Sequence, residues 1–430
     1  MPNMKNQKIE SQVEIHELMQ DIGQRARVAS TLLAYSKNDQ KDMALAQAAI
    51  NLRERAAHII AENQKDLAFG KEKGLNSAML DRLKLNEERI EATASGLETI
   101  CTIEDPVNKI LEEWERPNGL VLQRVSVPIG VIGMIYESRP NVTADAAALC
   151  IKSGNAVILR AGSDCLYSAQ AIAECLQFGL KTANLPVDAV QLVPTRDRAA
   201  VGEMLTMNGL IDVIIPRGGK SLTSRIQNES KIPTILHLDG NCHIYIHKDA
   251  DINMARDVVL NAKMRRVGIC GATESVLIDA EIAAKVLPVI VEALIKAGCE
   301  VRGDAEVQKI DARTKPAIDS DWGTEYLAAI ISIKTVSNEA EAISHINHYG
   351  SHHTDAIVTS NTTIAKRFLR EIDSAIVMHN ASTQFSDGGE FGFGGEIGIS
   401  TGKLHARGPV GAQQLTTYKY VIHGNGQVRP

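Results

Sequence analysis

Cys270 stands in the run NAKMRRVGICGATESVLI, between a basic stretch and a glycine. A cysteine is a nucleophile only as its thiolate, and a loop between Gly268 and Gly271 would let a substrate and a backbone amide both approach it. Met254, Ala255, Val258, Val259 and Ala262 trace one face of a helix that Gly268 would end, so Cys270 is expected just past a helix C-terminus. The helix dipole opposes a thiolate there, and Lys263, Arg265, Arg266 or a bound substrate must offset it. Spacing alone leaves two readings open, an acyl-accepting nucleophile and a buried thiol, and the loop position favours the nucleophile.

Two other groups of residues could carry chemistry. Arg217-Gly218-Gly219-Lys220-Ser221 ends like a Walker A loop, but the first glycine that motif requires falls on Ile214, and G-x-G-x-x-G is missing after the first strand. Gly218, Gly219 and Lys220 still fall between a strand and a helix, where bare amides could face a pyrophosphate; a simple tight turn is the competing reading. His345, His348, His352 and His353 lie near a helix end without HExxH or a completing carboxylate. No metal is therefore expected, and anion or substrate contacts are preferred.

The elements that must position these groups follow from pattern. Apolar residues recur at helical spacing from about Ser11 to Ala68, and from Val125 short β-branched runs alternate with alanine-rich stretches. Strands are expected over 130–136, 156–160, 189–193, 211–215 and 234–238, with helices over 143–152, 168–179 and 198–207. Continuously apolar strands alternating with helices imply an α/β fold with a doubly wound parallel sheet. The cycle restarts at strand 243–247, helix 252–266 and the cysteine loop, as in a second α/β domain running to about Asn380. The alternating run Leu415 to Ile422 would pair with Gly119 to Val127 in an arm covering a partner subunit. The expected domains are 1–240, with 116–128 in the arm, then 241–380, and 381–430 returning to the first domain and the arm.

With 46 basic against 52 acidic residues, no global positive field points to nucleic acid or an anionic membrane. No secretory h-region and no run of about 18 uncharged apolar residues is present, so a cytoplasmic protein is expected. Its seven cysteines, with no CxxC pair, are then reduced thiols.

VPIGVIGMIYESRPNVT and SGNAVILRAGSD resemble the first strand, loop and second strand of the aldehyde dehydrogenase superfamily, and Cys270 falls where that superfamily places its nucleophile. HLDGNCH (237–243), VSNEAEAISHINHYGSHHTDAI (336–357) and GEIGISTGKLHARGPVG (395–411) resemble its gamma-glutamyl phosphate reductase branch, over essentially the whole chain. The resemblance implies a cofactor domain, a catalytic domain and a β-strand oligomerisation arm. It also implies NADPH-dependent reduction of L-glutamate 5-phosphate to L-glutamate 5-semialdehyde, through a Cys270 thioester, in L-proline biosynthesis.

It further implies that Arg160, in place of the superfamily's lysine, meets the 2′-phosphate of NADP, that Gly218, Gly219 and Lys220 face the pyrophosphate, and that Glu325 holds the nicotinamide ribose. Asn141 is the expected oxyanion donor beside the Cys270 amide, although the superfamily's asparagine aligns on Ser138. Arg139, His405 and Arg407 are the candidate substrate cations, with structural salt bridges as the alternative. His237 replaces the glutamate that activates water in oxidising members, which should slow thioester hydrolysis. The expected partners are further copies of the chain, in a homo-oligomer, and a separate glutamate kinase that makes the acyl phosphate. The competing functions are a relative using another acyl donor, such as an acyl-CoA, and a catalytically silent scaffold.

Overall fold

The computed structural model describes residues 2–429. Two compact units divide them: the residues up to 236 with 392–398 and those from 410 onward, and 237–391 with 399–409.

In the first unit, helices Asn38–Glu54 and Ala56–Glu72 realise the long 3.6-residue periodicity. Strands β1 (Ile110–Glu115) and β2 (Val121–Pro128) form a hairpin, and β3 (Val131–Tyr136), β4 (Ala156–Arg160), β5 (Val190–Leu192) and β6 (Val213–Arg217) form a parallel sheet of order β5-β4-β3-β6. β3 and β4 are buried throughout, which is why they read as unbroken apolar runs. The arm pairing expected from alternation is present: β16 (Thr416–His423) runs antiparallel to β2, with Thr416 opposite Pro128 and His423 opposite Val121. Its other strand, β1, was not expected; Glu112, Glu113 and Glu115 give it no apolar alternation to detect. The strand expected over 234–238 does not form. Thr234 makes one isolated bridge to Ile214, and Pro233 beside it has no N–H to extend a ladder.

The second unit holds β7 (Cys242–Ile246), β8 (Thr273–Asp279), β9 (Glu300–Gly303), β10 (Lys315–Pro316), β11 (Ile330–Val336), β12 (Thr354–Val358) and β13 (Ile376–His379). Among the described residues these make one parallel sheet of order β10-β9-β11-β8-β7-β12-β13. The short strands β14 (Ile399–Ser400) and β15 (Gly408–Pro409) pair separately. Alternation across the pleat assigns the faces: Ile244, Ile246, Val276 and Ile278 join the core cluster of helices Ile252–Met264 and Ala280–Lys296. Tyr245, Leu277 and Ile357 join the cluster of helices Glu339–Tyr349 and Thr362–Glu371 on the other side. Helix Ala280–Lys296 shows the cause: Ile282, Ala283, Val286, Leu287, Ile290, Val291 and Leu294 are buried at three- and four-residue spacing.

Candidate active site

Three adjacent parallel strands bring the site together at their amino ends. Register sets Cys242 of β7 beside Thr273 of β8, and His243 beside Asp355 of β12. Cys270 precedes β8, His237 precedes β7 and His353 precedes β12, so three loops that are remote in sequence meet at one sheet edge. A ring nitrogen of each histidine and the Cys270 sulfur lie within 4.8 Å of one another. The two imidazoles meet edge to face, with ring centroids 5.3 Å apart.

HLDGNCH explains how the cysteine is held. Cys242 Sγ donates to the Cys270 carbonyl at 3.1 Å. Gly240 packs directly on the Cys270 backbone, where a Cβ would lie 2.6 Å from its Cα and 2.7 Å from its carbonyl carbon. Asn241 Nδ2 donates to the carbonyls of Trp322 and Tyr349, each at 2.9 Å, tying in the segment before Glu325 and the end of helix Glu339–Tyr349. Downstream, Thr383 Oγ1 donates to the Gly271 carbonyl at 2.7 Å, fixing the exit of the cysteine loop.

The electrostatics differ from the expectation built on neighbouring basic residues. Lys263 is spent on a fully buried ion pair with Glu274, and Arg265 Nη1 reaches Gln384 Oε1 at 3.3 Å. Burial pushes the Cys270 thiol up, but the charge of the nearby His353 imidazole, together with His237, outweighs it and holds the group well below the ordinary thiol value. His237 Nδ1 lies 2.7 Å from the Ile399 carbonyl, which only accepts, so Nδ1 carries hydrogen. His353 Nδ1 lies 2.9 Å from Thr354 Oγ1, and its buried Nε2 has no hydrogen-bond partner.

In the sequence His353 stands out only as one of four clustered histidines. His345 is buried on its helix with burial, and then His243, pushing it down to about 3, while His348 and His352 are exposed. The signal that separates His353 is its position one residue before the wholly buried strand TDAIV.

Because the Cys270 shift is downward, its thiolate persists as pH falls and is lost only below the lowered pKa. Iodoacetamide alkylation should therefore stay fast well below about 8.5, where a free cysteine titrates. His353→Ala and His237→Ala should each move the midpoint upward. A wild-type midpoint at the free-cysteine value would refute this account of the imidazoles.

The sequence profile described as "Aldehyde dehydrogenase family" matches residues 24–308 and 317–421. The chain belongs to the aldehyde dehydrogenase family. Within it, the chain is 59% identical over 417 residues to the gamma-glutamyl phosphate reductase of Paramagnetospirillum magneticum, covering 97% of this chain and 99% of that protein. It is 58% identical over 417 residues to the enzyme of the same name from Rhodospirillum rubrum, covering 97% and 98%. The crystal structure of gamma-glutamyl phosphate reductase from Thermotoga maritima superposes with a TM-score of 0.94 at 43% identity, covering 96% of this chain and 100% of that one. Aldehyde dehydrogenases use nicotinamide cofactors.

In the first unit, Gly218, Gly219 and Lys220 are exposed at the start of helix Lys220–Glu229, where Gly219 N–H donates to Glu137 Oε2 at 3.0 Å. Arg160 is no open fork: only 4% exposed, it donates through its two Nη atoms to the carbonyls of Ala161, Arg196 and Asp197. Ser138, at φ 46°, donates its hydroxyl to Asp164. Asn141 Nδ2 donates to Asp145 Oδ2 at 2.9 Å, and burial pushes that carboxyl up to about 6. Arg139 is half-buried beside them in the same loop.

In the second unit, Glu325 Oε1 accepts from Gly240 N–H at 2.9 Å, linking the candidate ribose carboxylate to the turn that supports Cys270. His405 is exposed at φ 67°. Arg407 holds Asp373, with Nη1 at 2.9 Å from Oδ1 and Nη2 at 3.0 Å from the carbonyl, while Lys403 lies 2.7 Å from Oδ2. These cations hold the Asp373 carboxyl down at about 2.

Proposed function

We propose that this protein reduces L-glutamate 5-phosphate to L-glutamate 5-semialdehyde with release of phosphate, using NADPH, in L-proline biosynthesis. The observation that carries the reading is the Cys270 sulfur between two imidazoles, in a group that no carboxylate joins among the described residues. His237 takes the thiol proton on Nε2, and the resulting imidazolium pairs with the thiolate. The sulfur attacks the acyl carbon, the bond from that carbon to the phosphate oxygen breaks, and the proton on His237 is available to the departing phosphate. Asn141 is the better side-chain oxyanion donor, because it keeps a second N–H whereas Ser138 has spent its one hydroxyl proton. When bound beside Cys270, a nicotinamide would supply the hydride that reduces the acyl group. Collapse of the thiohemiacetal then breaks the carbon–sulfur bond, frees the aldehyde and returns the thiolate to the imidazoles.

The residues present fit such a cofactor. Beyond Gly219 there is open space, since a Cβ there would meet Glu137 Oε2 only at 4.0 Å, and exposed Lys220 at the helix start suits a pyrophosphate. Glu325 keeps its second oxygen for a ribose hydroxyl. Arg160 serves the adenosine end by holding the loop of Arg196 and Asp197, with exposed Arg198 as the cation offered to a 2′-phosphate. Arg139 and His405 are assigned to the substrate's anionic groups, and Arg407 to orienting the segment at Asp373. Exposed Tyr418, Tyr420 and Ile422 on β16 support a homo-oligomer built through the arm. We also assign the chain to the cytoplasm and its substrate supply to a separate glutamate kinase.

Reduction of NADP+ by glutamate semialdehyde tests the reading. The rate should depend on inorganic phosphate, exceed that with NAD+, and gain nothing from coenzyme A in its place. Equal rates with and without phosphate would leave hydrolysis as the fate of the thioester and remove the acyl-phosphate assignment.

A further inference from the structure

The same three side chains have a second chemistry, which does not rest on the proposed reaction. One thiol sulfur and two imidazole nitrogens within 4.8 Å form a borderline-soft donor set, unsuited to magnesium or calcium, which prefer oxygen ligands. A tetrahedral zinc ion with bonds of about 2.1 Å to nitrogen and 2.3 Å to sulfur needs its ligand atoms roughly 3.4–3.6 Å apart. The three ligand atoms, within 4.8 Å of one another, would close to that spacing around the ion. Two further observations point to a ligand here. His353 is fully buried, yet its Nε2 lacks a hydrogen-bond partner, an unsatisfied state that a metal bond would relieve. His237 donates Nδ1–H to the Ile399 carbonyl at 2.7 Å, and His353 Nδ1 lies 2.9 Å from Thr354 Oγ1. For His237 that is the outer-shell pattern which orients metal-binding histidines and raises their basicity.

We propose that Cys270, His237 and His353 bind one Zn2+ ion per chain, and that the metal switches the nucleophile off. A sulfur lone pair donated to zinc is not available to an acyl carbon, and an acylated sulfur is not available to zinc. Metal and acyl group are thus mutually exclusive occupants of Cys270.

Chelator-treated full-length protein, titrated with Zn2+ in a competing-chelator buffer, tests this without substrate or cofactor, so its failure is distinct from failure of the proposed reaction. Expected are one zinc per chain by elemental analysis and at least tenfold slower iodoacetamide alkylation of Cys270, reversed by EDTA. Co2+ as a spectroscopic probe should give a near-ultraviolet thiolate charge-transfer band that Cys270→Ala removes. His353→Ala and His353→Gln, two variants of different bulk, should each weaken zinc binding at least tenfold. Zinc that binds without slowing alkylation, a charge-transfer band that survives Cys270→Ala, or unchanged affinity in both His353 variants would overturn the site. So would absence of binding at micromolar free Zn2+ in the wild-type protein, a result that needs no variant.

Discussion

Cys270→Ala is expected to lose on the order of 10⁴-fold or more in semialdehyde-dependent NADP+ reduction, because removal of a nucleophile abolishes every step that passes through its covalent intermediate. The loss should fall in kcat, while NADPH binding, measured by fluorescence, stays intact. The other cysteines cannot replace it. Cys150 and Cys165 are fully buried, and burial pushes both thiols upward, opposite to the shift at Cys270. Turnover within tenfold of wild type would remove Cys270 from the mechanism altogether.

The second large effect is predicted for a residue with no side chain. A methyl group on Gly240 would be driven into the Cys270 backbone, less than 3 Å from its Cα and carbonyl carbon and closer still to its carbonyl oxygen. Neither neighbour is a flexible side-chain end, so the whole cysteine loop must move. A displacement of about 1 Å at a reacting atom costs on the order of 10²-fold. Gly240→Ala should therefore lower kcat/KM by about that factor and slow alkylation of Cys270, with the far-ultraviolet circular dichroism unchanged. The Glu325 carboxylate that accepts the Gly240 N–H would shift with it. Activity within threefold of wild type would mean that the contact relaxes without disturbing the sulfur.

These two residues also mark what sequence could and could not reveal. Strands such as Ala156–Arg160 were legible because burial on both faces leaves a continuous apolar run, and the β2–β16 pairing was legible because alternation survives in both partners. Cys270 was legible as a loop thiol beyond a helix. Its activation was not, because the natural search is among near neighbours, and Lys263 and Arg265 are consumed by Glu274 and Gln384. The effective groups come from strands adjacent in the sheet but remote in the chain. His345 and His353 are the same residue type eight positions apart, yet one is walled into a helix interface and the other, one residue before a buried strand, reaches the sulfur. Arg160 shows the converse. Its position at the end of β4 was legible, whereas the use of its guanidinium on three carbonyls depends on the return of the chain at Arg196 and Asp197.

Assembly of the site at the amino ends of β8, β7 and β12 has a consequence for how the chain reaches its native state. Parallel pairing between distant segments carries a high loop-closure cost and forms slowly. Until all three strands are in register, His237 and His353 are not beside the sulfur, and Cys270 behaves as an ordinary thiol. The hyper-reactive thiolate is therefore a built-in clock for refolding: pulses of iodoacetamide would label Cys270 rapidly only in molecules whose central strands have already joined, timing that event apart from the formation of helices elsewhere.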